Sequence, residues 1–205
     1  LLERQVESDP ERLYLWLHLG AVHEGLGDGR AAEAAWSRGV AVARRQQPTP
    51  SFAPLIYANL ALLRLRQGGE VGDLLAELRQ GFPDDPLTAW VGAHRAMYKR
   101  SWEDAVALLV KLTLVDPDAV LHPVMAYDRR MFRQFAFDGL GMCSFQLGDD
   151  VEAERWFARA VEAAPEVEEY GHKRDLCRLR ASRAALGPHH RPGPLTAGAP
   201  RAPIW

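Results

Sequence analysis

Helical periodicity, interrupted at intervals by turn residues, constrains the fold of this sequence most. Apolar residues recur at spacings of three and four along nearly the whole chain, and β-branched residues never alternate with polar ones for long. Short glycine turns alternate with proline-containing breaks, which predicts helices that come in hairpin pairs. The breaks fall at residues 27–29, 48–54, 68–69, 83–86, 116–117, 148–149 and 165. The sequence therefore predicts an all-α protein.

Two segments place small and aromatic residues at the same intervals. The segment from Gln134 carries Phe137, Leu140-Gly141, Gly148, Ala153, Phe157, Ala160 and Pro165. The segment from Leu13 carries Trp16, Leu19-Gly20, Gly27, Ala32, Trp36 and Gly39 at the matching positions. Small residues let two helices touch, while large aromatic residues fill the wedge between neighbouring hairpins. The pattern resembles the tetratricopeptide repeat, although Ser144 and His23 replace the tyrosine that is usual in that family.

The resemblance implies a right-handed solenoid of about four helical hairpins. We expect repeat units near residues 13–47, 54–83, 86–117 and 123–165, with 1–12 as the end of a preceding helix. The second unit is degenerate, because Leu74 stands where a small residue is expected. Pro123 predicts an unusually long first helix in the fourth unit, over residues 123–147. A charged, poorly apolar stretch predicts a capping helix over residues 166–186.

The last residues of the sequence, 187–205, are rich in proline and glycine and hold almost nothing that could form a core. Such a composition predicts a flexible tail. Its apolar end, Ile204-Trp205, leaves open the alternative that the tail docks into a groove.

Composition argues against several classes of partner. A formal net charge of -2 gives no basic field for nucleic acid or anionic lipid. No apolar run approaches the roughly 20 residues of a membrane-spanning helix. We therefore expect neither a nucleic acid nor a membrane as partner. The two cysteines, Cys143 and Cys177, are expected to be buried, reduced thiols in a cytoplasmic protein.

The sequence shows no pattern that predicts catalysis, a metal or a cofactor. The Asp-x-Asp of Asp116-Pro117-Asp118 resembles a metal-nucleotide motif of glycosyltransferases, but it follows a helix instead of a strand. The pairs at 84–85 and 149–150 are better explained as helix caps than as an acid and a base. The seven histidines never take helical metal-binding spacing. We expect no enzymatic activity from this chain alone.

The concave face of such a solenoid, lined by the first helix of each hairpin, is the expected binding surface. In the repeat register this groove is mostly apolar and aromatic. An alternative is that Trp90, Met97, Tyr98 and Phe135 pack against neighbouring units. The candidate residues of the groove are Tyr14, Leu17, Leu62, Arg66, Trp90, His94, Met97, Tyr98, Phe135, Asp138, Met142 and Phe145.

A local positive patch consists of Arg129, Arg130 and Arg133, with Lys173 and Arg174 nearby in the expected stack of repeats. Guanidinium groups suit an acidic partner or a phosphate. The alternative is that these cations pair with the acidic run at residues 166–169.

Two functional hypotheses follow from these observations. The first is a non-catalytic scaffold that binds a protein or peptide through the apolar groove. The second is the C-terminal repeat region of a larger enzyme, because residues 1–28 look like the junction between catalytic domain and repeats in certain bacterial family-2 glycosyltransferases. In that case the partner is an N-terminal catalytic domain of the same polypeptide. The coding sequence upstream of Leu1 would separate the two hypotheses.

Overall fold

The structure, a computed structural model, describes residues 1–118 and 127–185. Over these ranges the only regular secondary structure is helical, which confirms the expected all-α class for the described part of the chain. None of these helices combines the length and the apolar character that crossing a bilayer requires. The described residues divide into two compact units, one of residues 1–98 and one of residues 99–118 and 127–185.

The first unit contains six helices, which pack mainly on their neighbours in sequence. Helix α2 lies on α3, α3 on α4, and α4 on both α5 and α6. The short first helix buries Val6 against α2. The bounds of these helices are α1 Leu2–Ser8, α2 Leu13–Gly25, α3 Gly29–Arg45, α4 Ala53–Arg66, α5 Gly72–Gly81 and α6 Pro86–Tyr98.

The second unit contains four α-helices and a 3₁₀ helix over Arg129–Phe132. Helix α8 packs on both α7 and α9, and α10 packs on α9. The expected repeat at 86–117 is thus divided, since α6 belongs to the first unit and α7 to the second. The bounds are α7 Trp102–Thr113, α8 Gln134–Gln146, α9 Asp150–Ala163 and α10 Glu168–Ala185.

The turns inside the hairpins share one backbone conformation. Gly27, Gly68 and Gly148 have φ of 79°, 78° and 82°, a left-handed region that glycine enters without steric cost. The corresponding turn between α6 and α7 uses Arg100 at φ 59°. In the first and last hairpins an aspartate follows the glycine and caps the next helix. Asp28 accepts from the Ala31 N–H and Asp149 from the Glu152 N–H, both at 2.9 Å.

The same two hairpins, α2/α3 and α8/α9, are held by a glycine against an aromatic ring. A Cβ atom built at Gly141 would lie 2.6 Å from Phe157 Cε1, and one built at Gly20 would collide with the Trp36 indole. Trp36 and Phe157 are the ring side chains at the centre of each hairpin and are 0% and 1% exposed. The Trp36 Nε1–H also donates to the Leu17 carbonyl at 3.1 Å. Small residues on the first helix therefore set how closely the two helices approach.

The prediction of one long helix over residues 123–147 is wrong for the residues of that range that the structure describes. Helix α8 begins only at Gln134, because Arg133 has a non-helical backbone with φ -129° and ψ -107°. The 3₁₀ helix before it is capped by Asp128, whose carboxylate accepts from the Arg130 N–H at 3.0 Å. Met131 and Phe132 are buried, and the 3₁₀ turn packs against α8 and α7 instead of extending α8. Residues 123–126 and the expected tail at 187–205 lie outside the described residues.

Candidate functional site

Eight of the candidate groove residues lie in the first unit, on α2, α4 and α6. These helices pack in that order, and Arg66 of α4 connects all three. Its guanidinium forms an ion pair with Glu24 of α2, and its charge acts on His94 of α6. We call the surface formed by Tyr14, Leu17, Leu62, Arg66, Trp90, His94, Met97 and Tyr98 the α2–α4–α6 face.

Aromatic contacts organise the two sides of the α2–α4–α6 face. The Tyr14 ring lies 4.1 Å from that of His18 and meets Phe52 edge-on at 6.4 Å. On α6, the Trp90 ring meets that of His94 edge-on at 4.3 Å. The Tyr98 hydroxyl donates to the Gly68 carbonyl at 3.0 Å. Each of these rings is therefore oriented by at least one neighbour, which lowers the entropy it can lose on binding.

Exposure separates this face from the hydrophobic core of the same helices. Tyr14 and Tyr98 are each 45% exposed, while Leu17, Leu62, Trp90 and Met97 are half-buried. The side chains of Leu19, Leu60 and Val91, by contrast, are at most 7% exposed. The face thus keeps large apolar side chains partly in water although the core behind it is filled.

Charge on the α2–α4–α6 face is balanced. Burial, together with the nearby Arg66 charge, lowers the pKa of His94 to about 4, so His94 is neutral at neutral pH. Arg66 has its counter-charge in Glu24. The face therefore presents a mainly apolar, aromatic surface with one ion pair.

The four remaining groove candidates lie in the second unit, where α10 engages most of them. Asp138 is buried and accepts from Lys173 of α10 at 2.8 Å. Met142 and Phe145 pack against the cluster of Ala153, Phe157 and Cys177. The guanidinium of Arg180, also on α10, lies 4.4 Å from the Phe145 ring. The guanidinium of Arg130 lies 4.8 Å from the ring of Phe135.

Lys173 has a second carboxylate partner, Glu169, at 2.7 Å. Although burial opposes the charge of Lys173, its hydrogen bonds to Asp138 and Glu169 raise its pKa. The ammonium therefore stays charged between two carboxylates and joins α10 to α8.

The three arginines of the expected anion patch each have partners nearby. Arg129 pairs with Asp118, and Arg130 pairs with Asp128 at 2.7 Å. Arg133 donates to the carbonyl of Phe132 at 3.2 Å and reaches that of Thr113 at 3.5 Å. Pairing of this patch with the acidic run 166–169 was the alternative. Within the described ranges that run provides only the Glu169–Lys173 pair, so the alternative is wrong for the three arginines.

The carboxylate pairs act as caps in the places where caps were expected. Asp85 accepts from the Leu87 N–H at 2.8 Å at the start of α6, and Asp149 caps α9. Asp116 accepts from the Asp118 N–H at 2.9 Å in the turn after α7. Cys143 and Cys177 are free and buried, and burial raises the pKa of Cys143 to about 12. In the described part of the chain, no three His, Cys, Asp or Glu side chains are placed to hold a metal ion.

Three residues for which the sequence patterns predict no role are conspicuous in the structure. Leu176 and Leu179 of α10 are 50% and 58% exposed. Arg95 of α6 has an Nε inaccessible to solvent and without a hydrogen-bond acceptor. Sequence gave no signal for Arg95, because an arginine on an amphipathic helix ordinarily indicates the solvent side.

No protein-family model matches this sequence, and no curated protein shows significant similarity to it. The tetratricopeptide resemblance and the glycosyltransferase alternative therefore stay predictions.

Proposed function

We propose that this chain is a non-catalytic interaction scaffold with tetratricopeptide-like repeats, and that it binds a peptide or partner domain on the α2–α4–α6 face. The observation that carries the proposal is the row of partly exposed, aromatic and aliphatic side chains contributed by α2, α4 and α6. Contiguous exposed apolar surface of this kind is typical of interaction sites. Aromatic residues supply most binding energy in such sites.

The balance of charge supports a mainly apolar ligand. Arg66 is paired with Glu24 and His94 is neutral, so the face offers no uncompensated charge to a strongly charged segment. Tyr14 and Tyr98 lie on the outermost helices of the face and are its most exposed rings. We expect them to act as anchors for apolar or aromatic side chains of the ligand. The two unbridged cysteines support a cytoplasmic location for this scaffold.

The test uses peptides selected from a random library displayed on phage, with the whole chain as bait. The affinity of selected peptides is then measured by fluorescence anisotropy for the chain and for Tyr14→Ser and Tyr98→Ser. We expect each substitution to weaken binding about tenfold or more, as for aromatic hot spots. Leu114→Ser is the matched control, because Leu114 is an 80% exposed apolar residue outside the face.

Melting temperatures of all variants separate loss of binding from loss of structure. Selected peptides that bind the two tyrosine variants as tightly as the unchanged chain would contradict the proposal. Equal weakening by Leu114→Ser would contradict it as well, since the effect would then not belong to the face.

A further inference from the structure

A cavity of about 420 Å³ lies between the start of α2 and the loop that leads into α4. Its apolar lining includes Leu13, which is 2% exposed, and the half-buried Pro50 and Phe52. The Tyr14 ring also lines the cavity and meets the Phe52 ring edge-on at 6.4 Å. The cavity therefore combines two differently oriented aromatic rings with two apolar side chains, and its size suits a few side chains of a ligand.

Polar contacts hold the two sides of this cavity together. Gln46 of the loop donates from Nε2 to the Glu11 carbonyl at 2.7 Å, and Arg45 pairs with the Glu11 carboxylate at 2.8 Å. The Tyr14 ring has a further neighbour in the His18 ring, at 4.1 Å. Because the walls are already held in place, a ligand pays little entropy for ordering them.

Three polar side chains at the cavity have unused hydrogen-bonding capacity. The Tyr14 hydroxyl and the Arg12 guanidinium donate to no group in the described ranges, and the Asp9 carboxylate accepts from no side chain there. The fourth polar group of the lining, the Glu11 carboxylate, has Arg45 as its counter-charge. The cavity thus offers two donors and one acceptor beside its aromatic rings.

We propose that this cavity binds a proline-rich segment of a partner protein, in the polyproline II conformation, with an arginine or lysine beside the prolines. Proline rings are rigid and apolar, and aromatic-lined grooves are typical sites for such segments. Proline has no backbone N–H, so the segment offers mainly carbonyl acceptors. These match the Tyr14 hydroxyl and the Arg12 guanidinium, while the basic side chain of the ligand has Asp9 as its counter-charge.

Ligands of other conformations fit these donors less well. A helical ligand uses its carbonyls in its own hydrogen bonds. An extended strand adds to the edge of a sheet, and the described ranges contain no strand. The cavity shares Tyr14 with the α2–α4–α6 face, but its proposed ligand does not require that the rest of that face binds a peptide.

The experiment measures the fluorescence anisotropy of two labelled synthetic peptides that are titrated with the whole chain. The probe has an arginine between two runs of prolines, and the comparison peptide has alanine in place of every proline. We expect saturable binding of the probe, with a Kd below about 1 mM, and binding of the comparison peptide that is about tenfold weaker or more. Equally tight binding of the two peptides would overturn the proposal.

Three variants assign the binding to the cavity. Phe52→Ser should weaken binding of the probe about tenfold, because an aromatic wall is lost. Tyr14→Phe keeps the ring and removes only the hydroxyl donor, so we expect a loss of about threefold without a change in fold. Asp9→Asn should weaken binding of the probe about twofold and leave binding of a peptide of prolines alone unchanged. Leu26→Ser is the control, since Leu26 of the same unit is 77% exposed and does not line the cavity.

Melting temperatures show which variants are folded, and Tyr14→Phe decides the test if Phe52→Ser is not. Unchanged binding in the folded variants of Phe52 and Tyr14 would contradict the proposal. Tyr98→Ser separates this cavity from the rest of the α2–α4–α6 face, because Tyr98 does not line the cavity. If Tyr98→Ser weakens binding of the probe as much as Phe52→Ser does, the peptide lies along the face. That result would overturn the proposed cavity site and support the proposed function.

Discussion

Hairpins α2/α3 and α8/α9 have the same interior but different surroundings. Both place a glycine against an aromatic ring and use a left-handed glycine followed by an aspartate cap. They differ on the other side of the first helix. At one repeat position α2 has the half-buried Leu17, whereas α8 has the buried Asp138, paired with Lys173 of α10. The repeat pattern therefore determines contacts inside a hairpin, while the neighbouring helix determines whether its outer side is covered.

The packing of glycine against the aromatic ring can be disrupted by the same substitution in each hairpin. Gly20→Leu and Gly141→Leu each force a side chain into Trp36 or Phe157, where even a Cβ atom collides. We expect each to lower the free energy of unfolding by about 3 kcal/mol or more. Urea denaturation measures the loss. Gly171→Ala is the control, since nothing lies within 4 Å of a Cβ atom there, and it should be neutral or stabilising. A loss in only one hairpin would show that the interiors are not equivalent.

The different surroundings predict unequal effects at the matching position. Asp138→Ala removes the buried partner of Lys173 and should cost about 2 kcal/mol. Leu17→Ala removes a half-buried side chain and should cost about 1 kcal/mol. Hydrogen exchange adds a second measurement, because only Asp138→Ala should speed exchange in α10. Unchanged protection of α10 would contradict a role for the Asp138–Lys173 pair in holding that helix.

A pH-dependent network ties the first hairpin to α5. Glu77 accepts from Arg44 Nε at 2.9 Å and from the Tyr57 hydroxyl at 3.0 Å. The hydrogen bonds from Arg44, and secondarily that from Tyr57, lower the pKa of Glu77, although burial opposes them. Its stabilisation is therefore present above the ordinary pKa of 4.5 and is lost as pH falls through the lower folded-state value.

We expect the network to contribute about 1 kcal/mol, since Arg44 and Glu77 are partly exposed. Unfolding measured from neutral pH to acid should show a loss that is about 1 kcal/mol smaller in Glu77→Gln than in the unchanged chain. In the repeat register, Pro165 occupies the position in the last hairpin that corresponds to Arg44. The last hairpin therefore has no arginine there to form this network. If the free energy of unfolding falls equally at acid pH in Glu77→Gln and in the unchanged chain, the network does not cause the loss.

The smallest expected change in stability concerns the turn between α6 and α7, which has Arg100 where the other three turns have glycine. Arg100 adopts φ 59°, a conformation that the other three turns give to glycine. Arg100→Gly should raise the free energy of unfolding by about 0.5 kcal/mol, because it relieves the left-handed strain at some cost in chain entropy. Gly148→Ala should lower it by a similar or larger amount. Thermal denaturation of both variants provides the check, and a destabilising Arg100→Gly would mean that the arginine side chain has a structural contact of its own.

The sequence predicted features that depend on local spacing. The all-α class, the aspartate caps at 85 and 149 and the glycine turns depend on residues close together in the chain, and a single sequence contains that information. The sequence did not predict the helix break at Arg133. There, burial of Met131 and Phe132 holds the chain in a 3₁₀ turn although the apolar spacing favours an α-helix. The sequence also did not predict the Asp138–Lys173 pair or the buried Arg95 Nε without an acceptor. Both depend on which helices face each other, and periodicity does not report that.

Packing between helices that are consecutive in the chain has a consequence for how the protein is made. The contacts of Gly20 with Trp36 and of Gly141 with Phe157 join residues less than one repeat apart. Closing such short loops costs little entropy, and local contacts favour rapid folding. We therefore expect α2/α3 to form while later helices are still being synthesised, so that the nascent chain exposes only one unpaired hairpin surface at a time.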